Sequence, residues 1–297
     1  MKQTVDTLLG NLDQKVRAYD QRVNYHADIH VGGCNFEFLV NDIPVLQHFG
    51  NANGTIQTSA PINTAILQPG PQQYKLILYP PAGQEARGLS ENIETEITIE
   101  ALRFREGGTD RVYPDTAIIT PMKKINAAGD SIFADAGKPV AVYQGSFTAR
   151  VPYQLQGWHN SQDLRKTDSS RLAAEVVAFY QQTAEEIGQG QLDKLAGSLE
   201  KSETEIAQAL FYGKAEAADF LHTFYASYGR PDLHVQPLEH YKMCIYGDGK
   251  LVTLQRTDVK GKTPLWAKYK EGDTPKYFAY TLYLHKPQGS NRLEVIR

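Results

Sequence analysis

The stretch from residue 23 to residue 40, VNYHADIHVGGCNFEFLV, carries two runs of alternating side chains on either side of two glycines. In the first run Val23, Tyr25, Ala27, Ile29 and Val31 alternate with Asn24, His26, Asp28 and His30. In the second, Cys34, Phe36, Phe38 and Val40 alternate with Asn35, Glu37 and Leu39. A period of two puts each set on one face of a pleated strand, so the spacing predicts two half-buried strands. Gly32-Gly33 is a favoured pair for a two-residue hairpin turn between them. Cys34 shares parity with the phenylalanines and has no cationic neighbour in sequence to lower its pKa. It therefore reads as a small buried side chain rather than a displayed nucleophile.

The same period continues outward. Asn41-Asp42 reads as a second turn, with Ile43 and Val45 beyond it. A Pro-Gly turn precedes Tyr74, Leu76 and Leu78. Ile93, Ile97 and Ile99 oppose Glu94, Glu96 and Glu100, and the pattern slips near Ala101, as a β-bulge would make it do. Tyr143, Phe147 and Val151 oppose Gln144, Ser146 and Arg150. Between the last two runs, residues 105–139 read as a long irregular loop, a type of segment that is often functional or mobile. Residues 23–155 thus predict an antiparallel β-sandwich, jelly-roll-like in kind.

Before this unit, Val5, Leu8, Leu9, Leu12 and Val16 have helical spacing, so residues 1–22 form a helix or arm that packs on something. After it, residues 156–168 read as a linker, and residues 169–297 change character. Leu172, Val176, Phe179, Tyr180 and Ile187 predict one helix, capped by Asp168 or Ser169. Leu192, Leu195 and Leu199 predict a second, and residues 202–228 a third, broken at Gly213. The period then returns to two, with turns at Gly247-Asp248-Gly249 and Glu271-Gly272-Asp273. Helices followed by strands predict an α+β domain with helices packed on a curved antiparallel sheet.

Totals limit the function classes. The chain has 297 residues, a net charge of −3 and no long basic run, which argues against a nucleic-acid groove or an anionic-membrane patch. Two cysteines make neither a disulfide framework nor a tetrahedral zinc site without histidine help. The first residues hold no apolar stretch long enough for a signal peptide, and no later one is long enough to cross a bilayer, so the expected compartment is the cytoplasm. No nucleophile elbow, phosphate loop, zinc-helix motif or dinucleotide fingerprint is present, and no cofactor is expected.

Two resemblances add to this reading. The stretch VVAFYQQTAEEIGQGQLDKLAGSLE, residues 176–200, resembles the opening helix, bend and second helix of the nuclear transport factor 2 superfamily, which includes the SnoaL-like proteins. The closing YTLYLHKPQGSNRLEVIR resembles that family's final paired strands. The resemblance covers residues 168–297 and implies a bent sheet wrapped on helices with a pocket at its mouth. The run ILQPGPQQYKLIL, residues 66–78, is similar to turns of galactose-binding-like sandwiches, which implies a carbohydrate-binding face.

Candidate sites follow from these elements. His26, Asp28 and His30 share a strand face, but His26 and His30 stand about 13 Å apart at Cα, too wide for one ion. Asp28 and His30 remain weak metal candidates, and the solvated polar face is the expected reading. Glu94, Glu96 and Glu100 form an acidic edge, suited to discouraging edge pairing or to meeting a basic partner. Trp158 and His159, with Asp163, either frame a binding site or serve to pack domains. Tyr241, Tyr246, Trp266, Tyr269, Tyr277 and Tyr280 cluster with Cys244 in the last quarter of the chain. They suit a small-molecule pocket, a protein interface, or the core between sheet and helices.

The leading expectation is a non-catalytic binding protein with a protein partner, for instance a bacterial immunity protein that neutralises a toxin, or an adaptor. An enzyme of the hydratase, isomerase or hydrolase type is the alternative. It would use a C-terminal pocket with His240, His285 or Asp248 as acid or base and Tyr241 or Tyr280 as donor. Glycan binding by the sandwich is the third reading.

Overall fold

The computed structural model describes residues 4–50, 54–105, 108–119 and 123–297. They form two compact units, one from Tyr19 to Gln154 and the other comprising the residues up to Ala18 together with Leu155 to Arg297.

The first unit is a sandwich of two four-stranded antiparallel sheets. Its strands are β1 (Asn24–Gly32), β2 (Asn35–Val40), β3 (Ile43–His48), β4 (Thr55–Pro61), β5 (Gly70–Tyr79), β6 (Glu94–Arg105), β7 (Gly108–Ile119), β8 (Lys123–Ile125), β9 (Ser131–Phe133) and β10 (Ala141–Ala149). One sheet has the order β4-β1-β6-β7 and the other β10-β5-β2-β3, while β8 and β9 pair as a separate hairpin. Tyr25, Ala27, Ile29 and Val31 are buried, as are Phe36, Phe38, Leu76, Leu78, Ile97 and Ile99. Each large aliphatic or aromatic side chain removed from water in this way contributes about 1.5–3 kcal/mol.

Asn41 and Asp42 have φ of 50° and 60°, the two left-handed residues of a hairpin turn joining β2 to β3. Gly32-Gly33 makes no hairpin. β1 pairs with β4 and β6, and β2 with β3 and β5, so these glycines turn the chain from one sheet into the other. A corner and a hairpin both need a residue at positive φ, met here by Gly33 at 76°, and only the long-range partners distinguish them. The slip near Ala101 is a register shift between β6 and β7. Residues 105–139, expected to be irregular, instead hold β7 and the β8–β9 hairpin; residues 106–107 and 120–122 of that stretch lie outside the described residues. The interrupted pairing hides the alternation of β7. From Ile97 onward β6 is flanked by β1 on one side and β7 on the other, so Glu100 lies on an interior strand and not at an edge.

The second unit holds α1 (Val5–Leu9), α2 (Leu12–Lys15), α3 (Ser169–Gly188), α4 (Leu192–Ala209) and α5 (Lys214–Tyr228). Its strands are β11 (His234–Val235), β12 (Tyr241–Tyr246), β13 (Leu251–Arg256), β14 (Trp266–Glu271), β15 (Thr274–Ala279), β16 (Leu284–His285) and β17 (Glu294–Val295). They form two antiparallel sheets, β11-β14-β15 and β12-β13-β16-β17. The periodic apolar residues at the start of the chain, Val5, Leu8, Leu9 and Leu12, are buried in the core shared with the helices. Asp193 of α4 accepts the Val5 backbone N–H at 3.0 Å. Asp168 caps α3 by accepting from the Arg171 N–H at 2.8 Å. The third helix does not begin at Ser202, which lies buried inside α4; the break falls at Leu210–Gly213, where Phe211 takes φ of 57°. Tyr180 ties α3 to the sheet. Its hydroxyl donates to the Leu282 carbonyl at 3.0 Å, lies 3.0 Å from Thr253 Oγ1 and accepts from the Leu254 N–H.

Among the described residues no helix is long and apolar enough to cross a membrane.

Candidate functional site

Antiparallel register decides which polar side chains meet. β1 lies between β4 and β6 with His30 opposite Gln57 and Glu96, and Asp28 opposite Ser59 and Thr98. Residues paired across strands share a face, so the polar sides of all three strands combine on the outside of the sandwich. There they line a groove of 510 Å³ built from Asp28, His30, Gln57, Ser59, Glu96 and Thr98. A second hollow of 240 Å³ shares His30 and Glu96 and extends toward Lys123 and Phe133. Glu94 Oε2 lies 3.9 Å from His30 Nε2 at their junction.

Two residues further along β1, His26 opposes Glu100. Its Nδ1 lies 3.2 Å from Ser59 Oγ, and its ring meets the half-exposed Phe104 edge-on at 5.6 Å. Burial holds the His26 pKa below the ordinary histidine value, against the pull of the Asp28 carboxylate, so the ring is neutral at pH 7. Glu100 is buried beneath an ion pair with Arg111 of β7. The face therefore runs from an ionic, hydroxyl-rich groove to an aromatic pair. Among the described residues no three His, Cys, Asp or Glu side chains come together as metal ligands.

Cys34 is 3% exposed, and burial pushes its thiol up to about 12, which leaves it protonated and unreactive.

The tyrosines and tryptophans of the α+β unit divide into interior and exterior sets. Tyr280 is buried, stacked on Tyr228 at 4.8 Å, and its hydroxyl donates to the Ser227 carbonyl. Trp158 is buried under the Arg297 guanidinium, 5.1 Å from its ring centre, while His159 is exposed. Tyr246 accepts a hydrogen bond from Gln255 Nε2 at 3.0 Å and meets Tyr283 edge-on. Tyr269 stacks on Phe278 at 4.5 Å, and the Arg230 guanidinium lies 4.4 Å from its ring centre. Tyr241, Trp266 and Tyr277 reach solvent, Tyr277 at 64% exposure.

The residues proposed for acid–base work do not form one site. His240 and Asp248 lie at opposite ends of β12, and His285 is buried in β16. One grouping that sequence spacing does not suggest is present. Ser161 Oγ lies 2.7 Å from His285 Nδ1, and Glu294 Oε2 lies 3.9 Å from Nε2 of the same ring. This has the membership of a nucleophilic triad without its function, since Ser161 is 4% and His285 1% exposed and a carbonyl carbon has no approach to Oγ. Burial lowers the His285 pKa to about 4, helped by the charge of Lys201. Glu203 on α4 is the other displaced group: burial pushes its carboxyl up to about 7, against the opposing effect of Arg297.

Comparisons with protein-family models, with curated proteins and with solved structures find no match. The resemblance to nuclear transport factor 2 proteins thus rests on element order and spacing alone.

The sequence shows two of the three polar strands of the groove, β1 and β6, as separate features. It does not single out Gln57, Ser59 and Thr98, which are unremarkable until the register puts them beside Asp28 and Glu96. The alternation His-x-Asp-x-His opposite Glu-x-Thr-x-Glu was the available signal, had the strands been assumed to be neighbours.

Proposed function

We propose that this chain is a non-catalytic binding protein that holds a hydroxyl-rich ligand, of the glycan type, on the outer face of its sandwich. The observation that carries the reading is the cross-strand register that gathers Asp28, His30, Gln57, Ser59, Glu96 and Thr98 around one open groove. Carboxylates accept hydrogen bonds from vicinal hydroxyls, and an amide, hydroxyls and an imidazole supply donors and acceptors. A sugar ring needs that mixture, together with a flat apolar surface for its C–H face, and the half-exposed Phe104 beside His26 supplies one. The catalytic alternative is less well supported. The interior of the α+β unit is filled by Tyr180, Phe224, Tyr228 and Tyr280, and the Ser161–His285 pair is sealed.

The test is a glycan array followed by calorimetric titration of each hit. Binding that disappears in both Asp28→Asn and Glu96→Gln supports the reading, and an array without hits overturns it. A role in neutralising a protein partner such as a toxin is the second reading, favoured by the outward aromatic residues of β14 and β15.

A further inference from the structure

The hairpin β14–β15 has two different faces. Trp266, Lys268 and Lys270 share one side with their partners Ala279, Tyr277 and Pro275. The opposite side turns Ala267 and Phe278 into the core. On the outer side Tyr277 meets Trp266 edge-on at 6.3 Å, and Lys268 Nζ lies 5.3 Å from the Trp266 ring centre. The strip continues into the neighbouring sheet: Arg256 lies 5.7 Å from the same ring and is the register partner of the exposed Tyr241. Arg256 is neutralised by Asp258 at 2.6 Å. Lys268 and Lys270 are exposed, and among the described residues no carboxylate forms an ion pair with either ammonium group.

This surface does more than guard an edge. Lysine and proline on the outermost strand would suffice to prevent strand addition. They do not account for an indole and a phenol held outward between two cations. Trp and Tyr are the residues that most often anchor protein interfaces, because they bury large areas with few rotatable bonds. Exposed lysines that pair with no carboxylate among the described residues give such a patch a positive charge that the chain as a whole, at net charge −3, does not have.

We propose that the outer face of β14–β15 docks an acidic protein segment, with Trp266 and Tyr277 as apolar anchors and Lys268 and Lys270 receiving its carboxylates. A protein partner fits better than a nucleic acid. Two exposed lysines on a net-acidic chain neutralise few phosphates, and affinity for a nucleic acid scales with the phosphates neutralised. The proposal stands on residues of the α+β unit alone, so it and the glycan groove fail independently.

The experiment titrates the full chain with poly-L-glutamate at low salt and follows tryptophan fluorescence. Trp158 is buried, so a response that vanishes in Trp266→Phe reports on this face. The expected result is saturable binding that weakens on the order of tenfold or more in the double variant Lys268→Glu, Lys270→Glu. Tyr277→Ser, a single change at an exposed position, is expected to weaken it less, with the melting temperature unchanged. No fluorescence response, equal binding by the double variant, or tighter binding of oligo(dT) than of poly-L-glutamate would each overturn the proposal.

Discussion

The groove of the sandwich and the interior of the α+β unit are made from the same kinds of side chain. Each combines carboxylates, an imidazole and hydroxyls: Asp28, His30, Ser59 and Glu96 in the first, Ser161, Glu203 and His285 in the second. In the groove these groups stand on the solvent side of a sheet whose other side carries the core, so water meets their hydrogen-bonding needs until a ligand does. In the interior the need is met by protein or by a change of protonation, as the displaced pKa values of Glu203 and His285 record. A Ser-His-Glu grouping is therefore no better evidence for catalysis than a polar strand face, and access to solvent decides between site and scaffold.

Interior substitutions must then change stability, and groove substitutions must cost binding. The largest effect is expected for Tyr180→Ala, which empties a fully buried ring site and strands the three groups bonded to its hydroxyl. A loss of about 3–5 kcal/mol, read from urea unfolding, is expected. A loss below about 1 kcal/mol would break the comparison from the interior side.

Glu203→Gln comes next, and its sign is opposite. The carboxyl of Glu203 ionises near 7 when folded, against an ordinary value of 4.5. The native chain therefore holds a proton that the unfolded chain has released, and stability falls as pH rises between those two values. Removing the charge should leave stability at pH 4 nearly unchanged and raise it at pH 8 by on the order of 2 to 3 kcal/mol. His285 works the other way. Its pKa near 4 when folded means that stability falls as pH drops from about 6.5, and His285→Gln should flatten that limb. Melting temperatures measured from pH 4 to 8 check both.

Asp168→Ala removes the cap of α3 and should cost about 1 kcal/mol, with no effect on either binding surface. The smallest change in stability, within about 0.5 kcal/mol, is expected for Asp28→Asn and Glu96→Gln, although these variants lose the groove's ligand. A substantial drop in their melting temperature would show that the groove residues hold the sandwich together, and the comparison would collapse.

Much of the architecture was legible because it repeats locally. The alternation of Val23 to Val31 marks β1, and the left-handed pair Asn41-Asp42 marks the β2–β3 hairpin. The i, i+4, i+8 spacing of Leu172, Val176 and Tyr180 marks the buried stripe of α3. Where the pattern is interrupted, legibility ends. β7 follows two register shifts against β6 and was hidden in an apparent loop, and Leu39 is buried although it shares the parity of Asn35 and Glu37. The candidate sites divide in the same way. Asp28, His30, Glu94 and Glu96 were visible as polar strand faces, but not their proximity. The aromatic cluster was visible as composition, but not that Tyr280 is buried while Tyr277 is exposed.

By itself the sequence determined the two kinds of element, their order and which side of each strand is apolar, since these follow from side-chain parity and helical spacing within a few residues. The tertiary structure alone decided that Gly32-Gly33 leads into a second sheet, that β1 lies between β4 and β6, and that Ser161 reaches His285. The reason is physical. Which strand pairs with which depends on packing two apolar faces together across long separations in the chain, and no local period encodes that choice.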